Sequence, residues 1–180
     1  MKNNLLYLSN ELVTLRLKLR LLNKNDRDLI FKLRSDLCVI QHTGINQYTN
    51  IDEADAYIKK IEKEMEDFSC LMWSIYNLST NSPIGTLCFW NFSIDKKRAE
   101  IGYYLLPKYW GQGYALEAIR AVIPFGFSQC GFNSIFAYPS EKNVASCRVL
   151  EKAGFKIIEK NICENEEGNY NICTYEIIKE

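Results

Sequence analysis

One stretch, Tyr109-Trp110-Gly111-Gln112-Gly113-Tyr114-Ala115-Leu116-Glu117-Ala118, constrains this chain more than any other. It follows a strand-like apolar run, Ala99-Glu100-Ile101-Gly102-Tyr103-Tyr104-Leu105-Leu106, and opens a helical pattern. The first turn of such a helix carries N–H groups without intrahelical partners and the positive end of the macrodipole. Glycines at 111 and 113 remove the Cβ atoms that would keep an anion from that backbone. A phosphate loop of the Walker type needs Lys and Ser/Thr after its last glycine, and Tyr114-Ala115 stand there. A dinucleotide fingerprint needs a small residue three places beyond its second glycine, where Leu116 stands. A two-glycine turn remains, suited to a pyrophosphate held by the main-chain N–H groups of Gly111 to Leu116. The plainer alternative is a tight turn without a ligand.

A second patterned segment lies downstream: Tyr138-Pro139-Ser140-Glu141-Lys142-Asn143-Val144-Ala145-Ser146-Cys147-Arg148-Val149-Leu150-Glu151-Lys152-Ala153-Gly154-Phe155. The two segments together resemble the GCN5-related N-acetyltransferase (GNAT) family, and within it the ribosomal-protein N-acetyltransferase (RimJ/RimL) type. The resemblance rests on the Ala99–Tyr104 run, on Trp110 to Ala115, and on Asn143, Ser146, Glu151-Lys152 and Gly154-Phe155. The N-terminal Leu12-Val13-Thr14-Leu15-Arg16-Leu17-Lys18-Leu19-Arg20 extends it to nearly the whole chain. It implies that the phosphate ligand is acetyl-coenzyme A.

Length and charge bound the remaining possibilities. A chain of 180 residues suits one domain with a full core, and no linker or repeat divides it, so residues 1–180 read as a single domain. Lys+Arg and Asp+Glu both number 22, which argues against broad electrostatic capture of nucleic acid. No apolar run approaches the ~20 residues of a membrane span, and Met1 to Asn10 holds too short an apolar stretch for a signal peptide. The expectation is a cytoplasmic protein, monomer or homodimer, without nucleic-acid or membrane partners. The seven cysteines include no Cys-x-x-Cys and His42 is the sole histidine, so no metal is expected. Cys163 and Cys173 could face each other across a hairpin, although reduced thiols suit a reducing compartment better.

Periodicity supplies the elements. Leu12 to Leu22 alternates Leu15, Leu17, Leu19 and Leu21 with Arg16, Lys18 and Arg20, as a half-buried strand does. Asn25 or Asp26 caps a helix to about Leu33, and Asp52 begins a helix to about Asp67. Strands are expected near Cys70–Asn77, Ile84–Phe92 and Arg98–Leu106, with Asn81-Ser82-Pro83 and Asp95-Lys96 as turns. A helix from about Gly113 to Gln129 contains Pro124. Asn133–Tyr138 is a short strand, Asn143 caps a helix ending at Gly154, and Phe155–Glu159 and Asn171–Ile178 flank a polar loop at Glu164–Asn169. This is an α/β (α+β) chain with a mixed, mostly antiparallel sheet of about seven strands and about four helices. The GNAT resemblance adds that two central strands splay apart.

Acetyl transfer to an amine requires a held cofactor, a neutral amine, a stabilised oxyanion and a protonated or solvated leaving thiolate. The turn residues Gly111, Gln112, Gly113, Tyr114 and Ala115 are the candidate pyrophosphate site. The resemblance puts Tyr104, Leu105 and Leu106 on the splayed strand, their main chain pairing with the pantetheine arm and the N–H near Leu105 polarising the acetyl carbonyl. Trp110 departs from the Gln or Arg common in the broad family and reads as a packing residue. Glu100 shares a strand face with Gly102 and Tyr104, and its carboxylate is the candidate base, with Gly102 leaving room beside it. Pairing with a neighbouring cation is the alternative role. Asp95, Glu53 and His42 are weaker candidates. Many family members carry a Tyr acid just before the Glu-Lys of the last core helix, where this chain has Leu150. Ser146 is the candidate acid instead, and Asn143 a cofactor contact, with helix capping as the alternative for both. Arg148 and Lys152 either meet the 3′-phosphate or are solvated.

The expected activity is acetyl-CoA-dependent transfer to a primary amine in a ternary complex, with a protein N-terminal amine implied by the branch resemblance. A polyamine or aminoglycoside acceptor, or an acyl-CoA sensor without turnover, remains open, because Leu37–Asn50 and Glu164–Asn169 carry no acceptor signature.

Overall fold

A computed structural model describes residues 11–41, 43, 45–93, 97–165 and 168–180. The weaker base candidates His42 and Asp95, the Asp95-Lys96 turn and Met1 to Asn10 lie outside the described residues.

The expected first strand is a hairpin. β1 (Leu12–Val13) pairs antiparallel with β2 (Leu17–Leu21), Leu12 opposite Leu19. Leu17 and Leu19 are fully buried, as alternation requires, but Leu15 is 90% exposed. The reason is local chemistry. The Thr14 N–H donates to Leu17 O, and the Thr14 hydroxyl and Arg16 N–H both donate to the Glu117 carboxylate. Those bonds close a turn in the middle of an alternating run.

α1 (Arg27–Ser35), the short α2 (Leu37–Ile40) and α3 (Asp52–Glu66) follow. A single 3-10 turn, Lys24–Asp26, precedes α1, and its capping box uses Asn23 and Asp26 rather than Asn25. Asp26 is buried and fully engaged. Arg20 grips both its oxygens at 2.8 and 2.9 Å, and the Tyr76 hydroxyl donates to Oδ1 at 3.0 Å.

β3 (Leu71–Asn77), β4 (Ser82–Ser93) and β5 (Arg98–Leu105) extend the sheet, then α4 (Tyr114–Ser128), β6 (Ser134–Ala137), α5 (Val144–Ala153), β7 (Lys156–Asn165) and β8 (Gly168–Ile178). Among the described residues, eight strands lie in the order β1-β2-β3-β4-β5-β6-β8-β7, and only β5 and β6 run parallel. The count of about seven strands and four helices is thus exceeded only by the two-residue β1 and the four-residue α2. β7 and β8 also reach further than expected. Their ladder continues to Asn165 opposite Gly168, where a polar loop was anticipated. Backbone pairing between antiparallel strands does not require apolar alternation, so polarity does not mark the end of the ladder. In that register Cys173 faces Lys160 and Cys163 faces Tyr170, so the two cysteines are not opposite each other.

Helices cover both faces of the sheet. On one, α4 and α5 close a core around Trp73, whose ring meets Phe89 and Phe125 edge-on at 5.7 Å, a favoured aromatic geometry. On the other, Ile58, Ile61 and Met65 of α3 pack with Ile30 of α1 over Cys70 and Met72. No helix of the described residues is long and apolar enough to cross a membrane.

Candidate active site

β5 is the spine of the site, because its two faces and its two edges do different things. Ala99, Ile101 and Leu105 point into the α4 core, and Tyr103 shares their side. Glu100, Gly102 and Tyr104 point to the α1–α3 side, where Tyr104 packs on the Leu29, Leu33, Val39 and Ile40 cluster.

Along one edge β5 is paired with β4 through Gly85↔Leu105, and beyond it Leu106 N–H donates to Ile84 O at 2.9 Å. Along the other edge β6 pairs only at Arg98↔Ser134, Ala99↔Ile135 and Glu100↔Phe136. From there the parallel strands part. Backbone alternation turns the amides of Tyr104 and Leu106 toward β4 and those of Tyr103 and Leu105 toward the opening. The splay implied by the resemblance is present, and Leu105 is the expected residue whose amide faces it. Leu105 O is engaged: the Trp110 indole N–H donates to it at 2.7 Å. Trp110 is therefore more than packing, since it ties the turn to the end of β5.

The turn leads to the start of α4. Gly111 and Gly113 have φ of +71° and +81°, which favour glycine. A Cβ on Gly111 would meet nothing within 4 Å, and one on Gly113 only Arg16 Nη2, at 3.5 Å. No side chain of the described residues caps this helix. Its first amides thus face an open approach, which fits a pyrophosphate. Gln112 and Tyr114 are held by the protein itself. Gln112 Nε2 donates to Lys108 O and its carbonyl accepts from Arg16 Nη1 at 3.0 Å. The Tyr114 hydroxyl accepts from Asn77 Nδ2, and its ring lies 4.4 Å from the Arg16 guanidinium carbon. Ala115 is half-buried beside them.

α5 begins differently. Asn143 Oδ1 accepts from Ser146 N–H at 3.1 Å, so Asn143 is the cap. Ser146 Oγ lies 2.7 Å from the Tyr103 hydroxyl, which reaches it from β5. Burial pushes the Tyr103 phenol up to about 12 against the opposing effect of that hydrogen bond. Leu150, where a tyrosine acid was sought, is wholly within the core. Arg148 and Lys152 are exposed on α5, and Arg120 of α4 donates to Lys152 O at 2.6 Å. These three cations have no carboxylate within ion-pair distance among the described residues.

Glu100 sits on the opposite face of β5 from Tyr103. Burial raises its carboxyl above the ordinary range, and a long 3.5 Å hydrogen bond from Asn91 Nδ2 only partly offsets this. Among the described residues no cation pairs with it. The room foreseen beside Gly102 is narrower than expected, because a Cβ there would lie 3.3 Å from Cys88 Sγ and 3.8 Å from Trp90 Nε1. Glu53 is remote from this chemistry: it accepts from the Thr49 and Asn50 amides at the start of α3, and those bonds, Asn50 first, lower its carboxyl.

The family model for the acetyltransferase (GNAT) domain matches residues 16–156. The chain belongs to the GNAT family. This GNAT chain is 32% identical over 171 residues to the Bacillus subtilis uncharacterized N-acetyltransferase YoaA, covering 93% of this chain and 96% of that one. Its fold matches the RimL ribosomal L7/L12 α-N-protein acetyltransferase in complex with coenzyme A, with a TM-score of 0.86 at 19% identity over 94% of this chain and 98% of that one. It also matches the Vibrio cholerae spermidine N-acetyltransferase in complex with CoA and spermine, with a TM-score of 0.81 at 18% identity over 92% and 96%. At those identities the likeness is one of fold.

Proposed function

We propose that this GNAT protein, acting as one domain, transfers the acetyl group of acetyl-CoA directly to a protein N-terminal amine. The observation that carries this reading is the opening along β5, with a helix start that no described side chain caps beyond one end and a half-buried carboxyl at the other.

Acetyl-CoA supplies an activated thioester. The amides of Gly111 to Leu116 hold its pyrophosphate at the positive end of α4. The main chain of Tyr103 and Leu105 pairs with the pantetheine arm where β6 has withdrawn, and Leu105 N–H donates to the acetyl carbonyl oxygen, where negative charge develops. Arg148, Lys152 and Arg120 carry the positive charge available to the 3′-phosphate. Glu100 accepts the proton of the attacking amine, directly or through one water, a task suited to a carboxyl whose pKa burial raises above the ordinary range. Ser146 offers its hydroxyl to the departing sulfur.

Direct transfer is favoured over an acyl-enzyme because no cysteine of the described residues has a base in hydrogen-bonding position to activate it, and four of the thiols are poor nucleophiles. Burial raises Cys70 and Cys130 to about 12, and raises Cys88 and Cys173 as well. The protein acceptor is supported by the RimJ/RimL-type motifs and by the fold likeness to RimL. Mass spectrometry of a mixed panel (peptides with free N-termini, Lys peptides, polyamines and aminoglycosides, incubated with acetyl-CoA) tests it. Acetylated peptide N-termini are expected. Product on a small amine alone would move the function to small-molecule acetylation.

A further inference from the structure

The hydrogen bond between Tyr103 and Ser146 joins the two sides of the opening. Tyr103 belongs to β5, three residues beyond the last pair with β6, and Ser146 lies in the first turn of α5, which follows β6. Ser146 N–H is spent on Asn143 Oδ1, and Ser146 Oγ has no other partner than Tyr103 among the described residues. Only one of the two hydroxyl protons can lie on the 2.7 Å line between the oxygens, and the Ser146 carbonyl, 3.4 Å from the phenol, is the longer alternative acceptor for the Tyr103 proton.

We propose that Tyr103 is the positioning residue for thiolate departure: its phenol donates to Ser146 Oγ and thereby turns the serine O–H toward the sulfur. The inference rests on the reading of Ser146 as the acid. The chain has no tyrosine at 150, and the phenol that β5 supplies acts one atom further back, through the serine. As the C–S bond breaks, its electron pair stays on sulfur. The Ser146 proton moves to that sulfur, the serine oxygen is reprotonated through solvent, which recovers the equivalent proton that Glu100 took from the amine, and Tyr103 keeps its own. Donation from the phenol stabilises the negative charge that passes over the serine oxygen, as chained hydrogen bonds reinforce one another. Burial keeps Tyr103 protonated across the working pH range, which suits a fixed donor rather than an acid that must lose its proton.

The experiment is a double-mutant cycle with Tyr103→Phe, Ser146→Ala and both. It reads kcat, acetyl-CoA affinity by calorimetry and thermal midpoint. Ser146→Ala is expected to lower kcat by about 100-fold. Tyr103→Phe should lower it by about tenfold, the worth of one hydrogen bond, with affinity changed less than about twofold. The double variant should be no slower than Ser146→Ala. A second measurement guards against a poorly folded Tyr103→Phe. With 3-fluorotyrosine at 103, the 19F resonance of the ligand-free protein should shift on Ser146→Ala, and the fluorine should alter kcat only when Ser146 is present. Unchanged kcat in Ser146→Ala would sink the acid reading and this inference with it. A slow Ser146→Ala with an additive or silent Tyr103→Phe would overturn the inference alone, as would loss of acetyl-CoA affinity with kcat intact.

Discussion

Arg16 and Glu117, 101 positions apart in sequence, fix the start of α4 to the β1–β2 turn, with Arg16 Nε 2.7 Å from Glu117 Oε2. The Thr14 hydroxyl and Arg16 N–H converge on the other carboxylate oxygen, and Arg16 also donates to Gln112 O. One guanidinium thus braces both the helix and the turn before it. Burial alone would raise the Glu117 carboxyl, but these donors outweigh it and hold it below the ordinary range.

Glu117→Gln should therefore cost about 2 kcal/mol near neutral pH, typical of hydrogen bonds to a charged group. A depressed folded-state pKa contributes stability above the unfolded carboxyl pKa and loses it as pH falls through the folded value. Melting curves of wild type and variant should accordingly converge in acid. A pH-independent gap would show that the ionised carboxylate is not what stabilises the turn.

Glu100 has the opposite sign. Its raised carboxyl favours the folded state most at low pH, and that contribution is lost as pH rises from the unfolded to the folded pKa. Glu100→Gln should leave the melting point at pH 8 unchanged or higher, while lowering kcat by about 100-fold. The acid limb of the wild-type kcat profile should lie above the ~4.3 of an ordinary glutamate. A stability loss with full turnover would assign Glu100 a structural role.

Gly113 separates two demands, conformation and access. At its φ of +81°, valine would be strained, whereas asparagine tolerates the left-handed region. Gly113→Asn should stay folded within about 1 kcal/mol, yet weaken acetyl-CoA by about tenfold or more, because its side chain meets the incoming phosphate. Normal affinity in a folded Gly113→Asn protein would move the pyrophosphate away from this turn.

Trp110→Phe keeps the ring and removes the donor to Leu105 O. A buried, unpaired carbonyl at the end of β5 should loosen the strand that holds the pantetheine and raise the acetyl-CoA Kd by roughly three- to tenfold. Calorimetry reads this directly, and an unchanged Kd would leave the indole with packing alone.

The local chemistry of glycines, caps and alternation made much of this legible in sequence. Gly111 and Gly113 marked the turn, Asn143 marked the α5 cap, and the Ala99–Leu106 alternation set which side chains share the Glu100 face. What sequence could not show were contacts between distant elements. Leu15 broke its expected pattern because Glu117, a hundred residues away, claims Thr14 and Arg16. Alternation assigns Tyr103 and Tyr104 to opposite faces, but nothing in the sequence singles out Tyr103, whose role comes from its reach to Ser146. The β7–β8 ladder exceeded expectation because backbone pairing from Cys163↔Tyr170 to Asn165↔Gly168 continues through a polar stretch that composition alone reads as a loop.

Residue-resolved amide hydrogen exchange, with and without saturating acetyl-CoA, tests most directly that the opening along β5 is the cofactor site. Exchange at Tyr103 and Leu105, whose amides have lost β6, should slow by about tenfold or more on binding, together with the amides from Gly111 to Leu116. Binding that protects other segments and leaves Tyr103 and Leu105 unchanged would contradict it.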